Sequence, residues 1–203
     1  MVDDDVRHPV VVDTDALIAV ANTSLWPQVT ENLQLTTTNV CHHELNRHSR
    51  ERSEYAPQGT RERWLHEGSK SALEPFDDDE NGSFTTVPCV PRPHGKDAGE
   101  TSVLTEVEQN IELYRFAILM DKHGRRSINK VFDDAGETSG KAVAPTFLLY
   151  LLLDAGACTV EEFCQACAEM LRGEGWTGYQ AIQAAWDAIP VDCSQYLPND
   201  LLP

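Results

Sequence analysis

The first apolar run in the chain is VVV at 10–12, three β-branched residues that end on an acid, Asp13. Such a run predicts a buried strand with the carboxylate at its C-terminal end. DALIAVANT follows at once and predicts a helix. RFAILM at 115–120 is a second apolar strand, and it too runs into an acid, Asp121. Between them, TTTNVCHHELNRHSRERSE predicts a helix capped by Thr38 or Asn39, with Val40, Glu44 and Arg47 spaced by four and three on related faces. A further helix is predicted over 60–73, then an exposed loop over PFDDDENGS at 75–83, with its run of acids and its Asn-Gly. FTTVPCV at 84–90 predicts a short strand that Pro88 keeps out of the middle of a sheet. PRPHGK is a turn into DAGETSVLTEVEQNIE, an amphipathic helix with Asp97 and Glu100 at its start. FDDAGETSGK at 132–141 predicts a loop. FLLYLLLDAG, TVEEFCQACAEMLRGEGW and GYQAIQAAWDAI predict helices, and FLLYLLL suits either a core or an interface. Strand, helix, helix, strand in that order implies an α/β fold with a parallel sheet covered by helices.

The length of 203 residues suits one domain, taken here as 1–172, with a helical C-terminal extension over 173–203. No stretch is apolar for the eighteen or so residues that a membrane helix needs. MVDDDVRHP is acidic where a secretory signal would be basic and then apolar, so a cytoplasmic location without membrane contact is expected. The six cysteines are scattered at 41, 89, 158, 164, 167 and 193, and they read as reduced. Cys164 and Cys167 form a CxxC without a second ligand pair, which suits packing better than zinc. His42 and His43 are adjacent on a helix and cannot easily face one ion.

Charge alters the picture more. There are 33 acids against 16 bases, a net charge of -17 that opposes binding of phosphate. In a salt-rich cytoplasm, with a Debye length of about 3 Å at molar ionic strength, that repulsion is largely screened. The composition resembles that of haloarchaeal proteins. The bases are also unevenly placed, because segments 43–70 and 121–141 together hold eleven of the sixteen. Both segments begin beside a candidate site acid. If they meet in the fold, Arg47, Arg50, Lys122, Arg125 and Arg126 would form a phosphate track; otherwise they are solvated helix faces.

Asp13 and Asp121 lie where ligands bind in parallel α/β sheets, beyond the carboxyl ends of strands. Glu44 and Asp97 stand near the starts of helices that the same topology brings to that edge. Four carboxylates gathered there need a cation, and their hard oxygens suit Mg²⁺ or Mn²⁺. Such ions activate a water and stabilise charge on a phosphodiester.

VVVDTDALIAVA, TTNVCHHELNRH, KDAGETSVLTEVEQ and RFAILMDKHGRR resemble the four blocks of PIN domains, in the family's order, over about residues 9 to 172. The resemblance implies a PIN-like fold with a central parallel sheet of about four to five strands. It implies Asp13, Glu44, Asp97 and Asp121 as catalytic, metal-binding acids, with Glu100 an accessory of the D-x-G-E variant. It also implies a Mg²⁺- or Mn²⁺-dependent endoribonuclease, either the toxin of a toxin–antitoxin pair or an RNA-processing enzyme. RNA would be the substrate, and an antitoxin protein or a second copy of the chain would be the partner. Two departures stand out. Asp15 replaces the family's frequent Ser, Thr or Asn; it either joins the metal shell or faces solvent at a helix start, where an acid suits the dipole. Residues 74–95 form an insertion, either a gating or partner loop or a tolerated one. Two alternatives stay open: a noncatalytic PIN-like binding module, and a haloacid-dehalogenase-like phosphatase suggested by DTD at 13–15. The phosphatase reading lacks the expected residues at Ala16 and Leu17.

Overall fold

The computed structural model describes residues 9–50, 55–77, 82–95, 97–136 and 140–172, and within them five strands lie parallel in one sheet. They are β1 (Val10–Val12), β2 (Leu35–Thr38), β3 (Phe84–Val87), β4 (Phe116–Ile118) and β5 (Lys141–Val143), in spatial order β3-β2-β1-β4-β5. The chain lays down β1, β2 and β3 in one direction, then returns to place β4 and β5 on the other side of β1. That reversal makes the boundary between β1 and β4 a topological switch point, where a crevice opens at the carboxyl ends of the strands.

The connecting helices are α1 (Thr14–Ala21), α2 (Trp26–Asn32), α3 (Asn39–Arg50), α4 (Arg61–Asp77), α5 (Ala98–Gln109), α6 (Lys122–Asp134), α7 (Thr146–Asp154) and α8 (Val160–Arg172). Successive side chains of a strand point to opposite faces, so the strands sort the core into two halves. Val10, Val12 and Ile118 join a cluster with residues of α1, α2, α4, α7 and α8. Val11, Ala117, Leu119 and Ala142 join Val103 and Val107 of α5 and Ile128 and Phe132 of α6 on the other face. The result is three layers, with every residue of β1 buried, as a parallel sheet covered on both sides requires.

Several boundaries differ from the sequence expectation for physical reasons. α4 runs through Pro75 to Asp77, where a loop from 75 was expected. A proline deprives the carbonyl four residues earlier of its partner, and Trp26 Nε1 donates to that carbonyl, on Ser71, at 3.1 Å. The 132–141 stretch is not all loop: α6 continues to Asp134, and Lys141 opens β5. β5 is an edge strand, and the backbone N–H and C=O of Ala142 face outward from it. Asn129 of α6 closes that edge, donating to Ala142 O at 3.2 Å and accepting from Ala142 N at 2.8 Å. An edge closed in this way offers no template to a neighbouring chain. The other edge is β3, with Pro88 just beyond it, as expected of a strand that must stay out of the sheet's middle. β2 and α2 were not anticipated.

FLLYLLL belongs to the core, with Leu148, Leu149 and Leu152 fully buried. Cys41, Cys89 and Cys158 are free thiols, whereas Cys164 is disulfide-bonded, which corrects the reading of all six cysteines as reduced. A pairing set by tertiary approach leaves no mark in cysteine spacing. GYQAIQAAWDAI and the rest of 173–203 lie outside the described residues. No helix among the described residues is long and apolar enough to cross a membrane.

If α8 is part of this core, Phe163→Ala costs about 3–5 kcal/mol, because a fully buried aromatic leaves a cavity. Val160→Ala, at the same helix's half-exposed start, changes stability by less than about 0.5 kcal/mol. Denaturant unfolding in molar KCl distinguishes them, and equal small losses would place α8 outside the cooperative unit.

Candidate active site

The site begins at the switch point. β1 and β4 are in register through Val12 and Ile118, and the pairing extends one step further through Asp13 N–H to Ile118 O at 3.0 Å. Asp13 thus ends β1 and is also the N-cap of α1: its carboxylate accepts from Ala16 N at 2.7 Å. Its second oxygen accepts from Met120 N at 3.2 Å, reaching across to the end of β4. The side chain is buried. Burial, and after it the negative charge of Asp15, pushes its pKa up to about 8, while the two backbone donors pull the other way.

Asp121 repeats the arrangement on β4. It is the N-cap of α6 and accepts from His123 N at 2.5 Å and Gly124 N at 3.2 Å. Unlike Asp13 it is exposed, so one strand-end acid is deep and the other stands at the mouth. Both sit at helix N-termini, where the backbone dipoles favour negative charge.

Glu44 arrives from α3. The Thr38 hydroxyl accepts from Cys41 N at 3.2 Å, which fixes the start of that helix at the end of β2. Thr38 also shares a 2.6 Å hydrogen bond with Ser102 of α5, joining the two helix starts. Thr14 then donates to Glu44 Oε2 at 2.6 Å, linking the acid to the start of α1. Asp97 stands at the N-cap position of α5 but makes no capping bond with its side chain. Its backbone is left-handed, with φ of 63°, a conformation that Asp tolerates at a cost of about 1–2 kcal/mol. The carboxylate is therefore not engaged in capping, contrary to the commonest role of an Asp at such a position.

Two glycines allow these elements to close up. A Cβ on Gly99 would lie 2.5 Å from Glu44 Oε2, and one on Gly124 would lie 2.6 Å from Glu100 Cδ. Thr14, Gly99, Gly124 and Ser102 were all missed from the sequence. DTD at 13–15 and the glycine of DAGE were visible as letters, but their role is a tertiary approach that spacing does not encode.

The six acids named from the sequence come together at this edge, each within the field of another. Asp13 feels Asp15 and Glu100. Asp15 reaches solvent, yet the protein packed around it desolvates its carboxylate enough to raise the pKa, helped by Glu44 and Asp97 and opposed by His48 and Arg61. Burial also raises that of Glu100, followed by the charges of Asp121 and Asp97. Yet among the described residues no group of three or more His, Cys, Asp or Glu side chains is arranged to hold a metal ion. Asp13, Glu44 and Asp121 are each held by a donor within the protein.

The bases meet the acids from two sides. Arg125 of α6 is half-buried in the fields of Asp121 and Asp13, and burial lowers its pKa. Its Nη1 donates to Leu119 O at 2.7 Å and Met120 O at 2.6 Å, so it clamps the end of β4 that aims Asp121. Lys122 and Arg126 are exposed on the same helix. On the α3 side, Arg47 and Arg50 line a cleft of about 510 Å³ together with His43 and Asn46. His42 instead faces Asp77 of α4, at 3.4 Å.

Asp13 gives the metal-free protein a pH signature. The folded carboxyl keeps its proton up to about pH 8, whereas the unfolded one loses it near 3.8. Its contribution to stability is complete below about pH 4 and is lost as pH rises through about 8. Thermal unfolding in chelator should show Tm falling across that window, at roughly 2–4 °C per kcal/mol. Asp13→Asn should flatten the fall; an unchanged slope would mean that the carboxyl is not held protonated.

The family model described as "Halobacterial PIN domain" matches residues 1–203 of the chain. No curated protein and no solved structure matches it.

Proposed function

Because the chain belongs to the halobacterial PIN-domain family over its whole length, a family with a nuclease-type fold, we propose that it is a Mg²⁺- or Mn²⁺-dependent endoribonuclease. Its site is built on Asp13, Glu44, Asp97 and Asp121, with Asp15 and Glu100 at the rim. The observation that carries this reading is Asp13, a buried carboxylate at the switch point with its pKa pushed up to about 8 by burial and by neighbouring acids. A buried acid among five others holds its proton because nothing there compensates its charge, and a cation that did so would release the proton and be bound in its place. The donors are carboxylate oxygens without a thiolate among them, which suits a hard divalent ion.

When bound there, such an ion would polarise the phosphodiester and ease deprotonation of a water. The rest falls to the chain's own groups. Asp13 fixes the floor through its two backbone donors. Thr14 holds Glu44 to one side, and the left-handed Asp97 leaves its carboxylate uncommitted. Arg125 keeps the β4 end, and so Asp121, in place. Arg47, Arg50, Lys122 and Arg126 supply positive charge for the phosphates, with Arg125 contributing through the donors it does not spend on backbone carbonyls.

Membership of this family leaves no place for the haloacid-dehalogenase reading of DTD. Thr14 in that motif holds Glu44, the acid supplied by α3. A cytoplasmic setting of high salt accords with the reading, as do two further partners, an antitoxin protein and a second copy of the chain.

In molar KCl with added Mn²⁺, the protein should cleave RNA. Asp13→Asn and Asp97→Asn should each lower the rate by about a hundredfold or more, since even residues that only orient ligands cost 10–100-fold. Calorimetry should show Mn²⁺ binding that Asp13→Asn abolishes. Equal cleavage by all three proteins would end the proposal, and folded protein that binds no Mn²⁺ would favour the noncatalytic module.

A further inference from the structure

The geometry points to a nucleotide-binding subsite on α3, beside the acids, that holds one phosphate and its nucleoside in single-stranded RNA next to the bond being cut. This rests on the nuclease reading and specifies how its substrate is held. The cleft of about 510 Å³ is lined by His43, Asn46, Arg47 and Arg50. They stand at i, i+3, i+4 and i+7, a single stripe of the helix. The stripe lies opposite Val40, Cys41 and Leu45, which bury α3, so it turns away from the core, with the Asn46 amide nitrogen bonded to His42. Its volume lies within the range of about 300–1,000 Å³ usual for small-ligand sites, which suits one nucleotide rather than a duplex.

The chemistry of the lining matches that occupant. Two guanidiniums can grip a phosphate through paired donors, and their flat faces also stack on bases. An imidazole and an amide beside them offer a stacking surface and polar atoms for a base edge, the usual means of reading unpaired RNA. A concave cationic stripe is unexpected on a chain of net charge -17, and its position gives it a purpose. Glu44 lies between His43 and Asn46 in the helix. Arg47 Nη2 is 3.4 Å from His48 Nε2, and His48 and Arg61 in turn stand in the field of Asp15. Positive groups therefore begin where the acids end. Arg50 is about 9 Å along the axis from Glu44, at 1.5 Å per residue. A cluster of carboxylates repels the backbone it is meant to cut, and an adjoining cationic cleft holds the strand against that repulsion. At high salt, where attraction is screened beyond about 3 Å, only direct contacts of this kind retain a strand.

The test is binding of a short fluorescent single-stranded RNA to the full-length protein by anisotropy, in chelator so that cleavage plays no part. Arg47→Ala and Arg50→Ala should each weaken binding by about tenfold, as expected for a lost charge-assisted bond. Each should also reduce the slope of log K against log salt by about 0.7. Lys130→Ala, which removes an exposed base on α6 away from the cleft, should leave binding unchanged. Arginine variants that melt with the wild type yet bind RNA as it does, or lose no more than Lys130→Ala, overturn the subsite, as does a wild type that binds no RNA. Displacement of the RNA by an acidic peptide more readily than by unlabelled RNA would overturn it in favour of a protein partner. Cleavage measured in parallel separates the two readings. Arginine variants with normal RNA binding, in a protein that loses cleavage with Asp13→Asn, refute the cleft alone. Weakened binding in a protein without divalent-dependent cleavage upholds the cleft and refutes the nuclease.

Discussion

Crowding like charges at the end of a parallel sheet is unfavourable, and the structure depends on how Asp13 is held there despite it. Its carboxylate spans the switch point, accepting from Ala16 on its own helix and from Met120 beyond the neighbouring strand. The same side chain thereby starts α1, fixes the ends of β1 and β4 together, and forms the floor of the acidic crevice. Arg125 works on the other side of that connection, donating to Leu119 and Met120 carbonyls. The peptide after β4 is thus held by an acid through its N–H and by a base through its C=O. The clamp carries the β1–β4 pairing beyond the last paired residues to the two strand-end acids.

Much of this was legible in the sequence, and the failures have physical causes. The central strands could be read because a strand buried on both faces is a continuous apolar run, and VVV and RFAILM are such runs. β2 could not, because LTTT looks polar. Its threonines are satisfied only in three dimensions, Thr37 donating to Val12 O at 2.9 Å and Thr38 bonding Ser102. β5 is three residues opened by a lysine, and it exists by virtue of its register with β4 and the side chain of Asn129 on its outer edge. The proline in α4 misled for a related reason, since its cost is offset by an indole from α2.

The site divides in the same way. Asp13 and Asp121 follow from strand ends, a local rule. Glu44 and Asp97 gained their meaning from the resemblance to PIN domains, because a helix-borne acid has no local signature. Thr14, Gly99 and Gly124 act through close approach. Gly99 leaves room for Glu44 and Gly124 for Glu100, contacts between segments far apart in the chain. Sequence spacing reports periodicity within an element, so it is silent about what two elements require of each other where they touch.

Burial orders the acids from inside to outside. Asp13 is buried, Glu44 and Glu100 are half-buried, and Asp15, Asp97 and Asp121 are exposed. The deepest acid belongs to the sheet and has the least freedom, while the outermost stand at helix starts that border solvent. A carboxylate that is fixed and desolvated supplies location; carboxylates that are exposed supply charge with room to approach. The basic groups follow the same gradient. Arg125 is half-buried against the floor, whereas Arg47 and Arg50 are exposed along α3. The interior arginine therefore serves the architecture, and the exterior ones present their charge to solvent beside the acids. Among the described residues, exposed bases on α3 and on α6 thus flank the acids from two sides of a strongly acidic protein.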